Sequence, residues 1–155
     1  MRDLDELSIN SYPDAPRPAP TEEQFRRFAV AFDVDLPDRY ADFLRHANGG
    51  HPELDSFVPV DADAADSWAV DHFYHLSEEE DSESLWVATR TWRPVLGNRA
   101  VPIASDGGGN QVFLDLDENP VMVKLAIAEG ALSIRDVSRD FEQFLDLLHT
   151  NPDFI

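Results

Sequence analysis

Apolar residues recur along this chain with two distinct periods, and the switch between them lays out the fold. Phe25, Phe28, Ala29 and Phe32 fall at i, i+3, i+4 and i+7, one stripe of an amphipathic helix. Thr21 and Gln24 make a capping-box pair before it, with Glu22 and Glu23 in its first turn. A second helix is predicted from Pro37, a residue suited to the first helical position, with Tyr40, Phe43, Leu44 and Ala47 on its buried face. Asn48-Gly49-Gly50 ends it. From His51 the period shortens to two. Phe57–Val60 reads as a short edge strand interrupted by Pro59, and Trp68–His75 as a longer one. A third helix is predicted from Ser82 or Glu83 to Trp92, closed by Arg93-Pro94.

The central stretch runs from Val101 to Leu116. An apolar run enters the turn Asp106-Gly107-Gly108-Gly109-Asn110, and a second leaves it with Val112, Leu114 and Leu116 on one face and Gln111, Phe113 and Asp115 on the other. The glycines suit a turn that needs positive φ. Phosphate loops hand the chain to a helix, whereas this loop hands it to a strand, lacks a following Lys-Ser/Thr pair and carries Asp106. It is read as a turn. Asp117–Pro120 then closes a hairpin onto Val121–Leu125, with Ala131–Ile134 as a short extension. Ser138 caps a closing helix whose stripe is Phe141, Phe144, Leu145 and Leu148. Helices, then turn-linked strands, then one helix give an α+β fold: an antiparallel or mixed central sheet with amphipathic helices packed against it. Residues 1–20, with Pro13, Pro16, Pro18 and Pro20, are read as an extended Pro-rich arm, and 21–155 as one domain.

Charge changes this picture most. Asp and Glu outnumber Lys and Arg by 31 to 12, for a formal net charge of -19. Such a surface repels nucleic acid and anionic membrane and attracts basic partners. Between Arg45 and Arg90 there is no Lys or Arg, while acids crowd two predicted loops: Asp61, Asp63 and Asp66 in one, and Glu78, Glu79, Glu80 and Asp81 in the other. A bland account competes. Frequent aspartate and a single lysine, Lys124, also suit the proteome-wide acidity of a salt-adapted organism, which explains the total better than the clustering. There is no cysteine, so disulfides and thiolate metal sites are excluded. No apolar run reaches the ~20 residues of a membrane span. The acidic N-terminus lacks a signal-peptide core, so the default is a cytoplasmic protein.

Candidate chemistry is sparse. His72 and His75 sit on opposite faces of a predicted strand, and Asp61–His72 lacks the Gly and Glu of a calcium loop, so no metal and no cofactor is expected. Ser105-Asp106 has no nucleophile-elbow pattern around it. No enzyme is expected. Trp68 and Tyr74, beside the acidic loops, are candidate anchors for a protein partner.

Three segments resemble one family in order. Leu36-Pro37-Asp38-Arg39-Tyr40-Ala41-Asp42-Phe43-Leu44 with Asn48-Gly49-Gly50 is similar to the second-helix motif of the SUKH superfamily (SMI/KNR type). Pro102-Ile103-Ala104 through Gly108-Gly109-Asn110 and Asp115 resembles its central hairpin, and Ser138 with Phe141, Phe144, Leu145 and Leu148 its last helix. The resemblance implies a helices-on-sheet α+β fold in which Pro37, Tyr40, Gly49, Gly50, Gly108, Gly109, Asn110 and Asp115 are structural. It also implies an immunity protein for a polymorphic toxin, often a nuclease. The acidic loops would then serve a basic nuclease domain, with no direct nucleic-acid binding. The competing expectations are a regulatory or adaptor module without a toxin, and a small hydrolase or ligand-binding protein.

Overall fold

The structure is a computed structural model that describes residues 3–10 and 17–150. Helix α1 (Glu22–Phe32) starts on the expected capping box, and Asp33, in the left-handed region at φ 54, ends it. Helix α2 (Asp38–His46) begins one residue later than expected: Pro37 is the N-cap, not the first helical residue. Helix α3 (Leu85–Leu96) runs past the expected stop. Pro94 lies inside its last turn on the exposed side, where it forfeits one i→i−4 hydrogen bond, and Gly97 closes the helix. Helix α4 (Phe141–Leu147) is capped by Asp140, whose Oδ1 accepts from the Gln143 N–H at 2.8 Å. Ser138, expected as that cap, is instead the last residue of the preceding strand.

Strands β1 (Ile9–Asn10) and β2 (His51–Pro52) form one small antiparallel pair, and β3 (Ser56–Phe57) and β4 (Trp68–Ala69) another. The main sheet is a five-stranded antiparallel meander of β5 (His72–Phe73), β6 (Ala100–Ser105), β7 (Gln111–Asp115), β8 (Met122–Ile127) and β9 (Ser133–Ser138), paired in that order. The single strand predicted over Trp68–His75 is thus two strands in two sheets. Val70 donates its N–H to Asp55 and Asp71 donates to Ser105, so the chain changes partner between them.

One face of the main sheet, with Val101, Ile103, Val112, Leu114, Val123 and Leu125, packs with the helices into the core. Phe43 lies edge-on to Phe73 at 4.8 Å and to Phe141 at 5.4 Å, joining α2, β5 and α4 through one aromatic cluster. Burying each such ring contributes roughly 2–3 kcal/mol. The opposite face is also partly closed. Phe113, read from alternation as lying on the polar face, is buried with Ala100 and Ala126 under Leu96 at the end of α3. The N-terminal arm needs correction too. Leu4–Leu7 is a 3-10 turn, Leu7 is fully buried in the core, and β1 joins a sheet. An apolar side chain with room in the core outweighs the extended bias of the prolines that follow. Of those prolines, Pro13 and Pro16 lie outside the described residues.

Candidate interaction surface

The two acidic loops lie at different edges of the main sheet. The segment after β3 runs along β9, where the Val60 N–H donates to the Val137 carbonyl at 2.8 Å and Asp66 pairs with Arg135. The Ser77–Glu83 segment follows β5 at the other edge and leans on α1 and α3. A single patch made of both loops is therefore not what the fold builds.

The second loop is held by the protein's own cations. Glu78 pairs with Arg27 at 3.7 Å, Glu79 with Arg17 at 3.4 Å, and Glu80 with Arg90. Asp81 Oδ1 takes the His75 Nε2 at 2.8 Å, while its Oδ2 accepts from Arg17 at 3.2 Å. Burial pushes the Asp81 carboxyl up, but hydrogen bonds from His75 and the Glu83 N–H, with the nearby charges of His75 and Arg17, outweigh it and leave the carboxyl below its ordinary 3.8. Beside this loop is a cleft of about 490 Å³ lined by Arg27, Glu80, Trp86 and Arg90, where guanidinium and carboxylate groups neutralise each other.

Ser77 Oγ lies 2.9 Å from His75 Nδ1, so Ser77, His75 and Asp81 form a hydrogen-bonded chain of the residue types used in nucleophilic catalysis. Its surroundings give it another task. His75 is 1% exposed, and Ser77 Oγ already accepts from the Glu79 N–H at 3.2 Å. His75 also exchanges backbone bonds with Glu83 and Leu85. The chain of bonds folds this short loop onto the start of α3. Among the described residues, no three His, Asp or Glu side chains come together to hold a metal.

The first loop is different. Among the described residues, neither Asp61 nor Asp63 has a cation within ion-pair distance; Asp63 Oδ1 only accepts from the Ala65 N–H at 2.9 Å. Asp61 sits in the left-handed region at φ 67. Asp66 is engaged: the Arg135 hydrogen bond above all, with the Trp68 N–H and the Arg135 charge, holds its carboxyl below the ordinary value despite burial. Its Oδ1 accepts from Trp68 Nε1 at 3.0 Å, fixing the partly buried indole at the end of this acidic segment. Tyr74, the other expected anchor, is buried, and its hydroxyl donates to Gln111 Oε1. It is corrected from surface to interior: its phenol finds a partner on the sheet, which lets the whole ring bury.

The motif residues make local bonds. Asn110 Nδ2 donates to Asp106 Oδ2 at 2.7 Å, and its Oδ1 accepts from the Ala128 N–H at 3.0 Å, tying the β6–β7 turn to the end of β8. Asp115 accepts from Lys124 Nζ at 2.7 Å on the outer face of the sheet. That hydrogen bond, with the charges of Asp115, Glu118 and Asp136, raises the Lys124 pKa against the effect of burial.

Sequence reading missed one surface. Val95, Leu132 and Ile134 are exposed by 51%, 42% and 44% and line a groove of about 240 Å³ on the outer face, floored by Ala100 and Phe113. The alternation of Leu132 and Ile134 with Ser133 and Arg135 is the available signal, but the strand expected from sequence stops at Ile134 whereas β9 continues to Ser138.

The architecture is an α+β one, a five-stranded antiparallel sheet with amphipathic helices packed against it. The chain belongs to the SMI1 / KNR4 family (SUKH-1), whose sequence pattern matches residues 19–147. It is 26% identical over 152 residues to the SPbeta prophage-derived uncharacterized protein YokK of Bacillus subtilis (strain 168), covering 85% of this chain and 76% of the relative. A crystal structure of a protein from Pseudomonas syringae pv. tomato shares the fold, with a TM-score of 0.52, 16% identity and 79% of each chain covered. Members of this family are known as immunity proteins rather than enzymes. No helix among the described residues is long and apolar enough to cross a membrane.

Proposed function

We propose that this chain is a cytoplasmic immunity protein that binds and neutralises a cognate toxin domain, a basic nuclease, without contacting nucleic acid itself. Family membership supports the class of partner. The observation that carries the choice of surface is the Asp61–Trp68 segment: two carboxylates without a cation among the described residues, followed in the same segment by a partly exposed indole held by Asp66. Carboxylates left unneutralised steer a basic partner, and a fixed aromatic ring anchors it after encounter. Glu78, Glu79, Glu80 and Asp81 spend their charge on Arg17, Arg27, Arg90 and His75 and contribute less to that field.

Two variants that change net charge equally test this. Asp61→Asn/Asp63→Asn should slow association with the toxin domain of its own locus several-fold and flatten the salt dependence. Glu78→Gln/Glu80→Gln should move the rate much less. Stopped-flow association at several salt concentrations decides. Equal slowing in both would reduce the effect to net charge, and no slowing in either would remove steering from the mechanism.

A further inference from the structure

Among the described residues, the exposed large apolar side chains are Val30, Val60, Val95, Leu132 and Ile134. Their placement is not scattered. Val95 of α3, Ile134 of β9 and Leu132 just before that strand converge on the outer-face groove, while Val60 is hydrogen-bonded onto the same strand through Val137. Only Val30 lies apart, on α1. The groove floor is closed by Phe113, packed with Ala100 and Ala126 under Leu96, so the groove is a shallow socket on a formed base.

Its charged rim has a sign. Asp115, Asp117, Glu118 and Asp136 surround the cations Lys124 and Arg99: Lys124 Nζ lies 2.7 Å from Asp115, 3.5 Å from Glu118 and 4.0 Å from Asp136, and Arg99 lies 3.6 Å from Asp117. Asp115, Asp117, Arg99 and Lys124 line the groove itself, and Glu118 and Asp136 reach Lys124 from beside it, so the surroundings of the groove carry an excess of two negative charges. Lys124 is spent within this cluster, its side chain only 15% exposed, so it offers little to an acidic partner.

We propose that this groove is a docking socket for an apolar side chain presented by a basic protein segment, with Leu132, Ile134 and Val95 gripping the apolar anchor and the carboxylate rim receiving flanking Lys or Arg. The inference rests on the proposed immunity reading and extends it: the partner's contact would cross β9, from the Asp61–Trp68 segment at its edge to the outer face of the sheet. Such an arrangement, an apolar centre inside a charged rim, is that of protein-recognition hot spots.

The probe is a capped peptide with a Leu-Phe centre flanked by lysines, titrated into the full chain and followed by methyl NMR. Its counterpart carries glutamates in place of the lysines. The basic peptide should shift the methyl signals of Val95, Leu132 and Ile134 and leave Val30 unmoved, and the acidic peptide should shift none of them. Leu132→Ser/Ile134→Ser should weaken binding ~tenfold, as loss of anchor side chains does. Val30→Ser should leave it unchanged. Unmoved groove methyls, equal response to both peptides, or undiminished binding by the double variant would overturn the socket. Concentration-dependent dimerisation of the chain alone, abolished by the double variant, would assign the groove to a second copy and also overturn it. Protection of cells against the locus's toxin domain separates the two levels. A double variant that still protects fully sinks the socket and leaves neutralisation standing. A wild-type chain that fails to protect sinks neutralisation, while the peptide titration still judges the socket.

Discussion

The side-chain amide of Asn48 takes both backbone groups of Leu76: Nδ2 donates to the Leu76 carbonyl at 2.8 Å, and the Leu76 N–H donates to Oδ1 at 2.7 Å. The second Nδ2 hydrogen reaches the Pro18 carbonyl at 3.0 Å. Leu76 follows β5, where the chain has left the sheet and its backbone groups have no neighbouring strand. The amide of Asn48, 3% exposed, stands in for one. It binds the end of α2, the residues before α1 and the Ser77–Glu83 loop into one junction.

Asn48→Ala should therefore destabilise by about 2–4 kcal/mol, a desolvation penalty for each backbone group left unpaired. Asn48→Asp should fare no better at neutral pH, since it keeps the acceptor and loses the donor. Urea denaturation checks both. An unchanged midpoint for the alanine variant would show that water replaces the amide at no cost.

The glycines beside Asn48 and in the β6–β7 turn are not equivalent. Gly49 adopts φ +89, and a Cβ there would lie 2.9 Å from the Cβ of His75. Gly49→Ala combines backbone strain with a clash against a buried residue and should cost about 1–3 kcal/mol. Gly109 is at φ +94 but faces open space, so alanine there meets strain alone. Gly108, paired with Gly109 in the sequence reading as needing positive φ, is not in that region, and its Cβ would meet only ordinary contacts with Asp106. Gly108→Ala should leave thermal stability nearly unchanged, and the ordering of the three melting temperatures is the test.

Tyr74 predicts an alkaline limit to stability. Burial pushes its phenol up from 10.0 to about 12, with Gln111 and Ser105 hydrogen bonds opposing and the Asp106 charge assisting. The folded protein thus holds the neutral form after the unfolded chain would release the proton. The associated stability is fully present below pH 10 and is lost as pH rises through about 12. Tyr74→Phe should flatten that part of the pH–stability curve, with a residual slope from Tyr40, whose phenol burial also raises. Denaturation midpoints across this range, with ultraviolet titration of tyrosinate, measure it. A wild-type slope identical to that of the variant would mean Tyr74 ionises as if exposed.

The sequence alone determined what periodicity and capping encode. The Phe25–Phe32 stripe, the Thr21–Gln24 box, the Asp106–Asn110 turn and the hairpin through Asp117–Pro120 are local patterns, because each depends on contacts within a few residues. Three motifs in order also carried the family. Tertiary structure decided what depends on partners distant in the chain. Leu7 looked like part of a solvated arm, because nothing nearby in sequence reveals that the core has room for it. Phe113 looked outward by alternation, because only the packing of α3 across the sheet covers that face. The Glu78–Asp81 run looked like free charge, because the arginines that neutralise it lie on the pre-α1 segment, α1 and α3. The Asp61–Asp63 pair looked no different from that run. Local sequence sets the charge of a loop, but only the fold sets which cations lie within a few ångströms of it, and that distance separates a structural ion pair from a surface open to a partner.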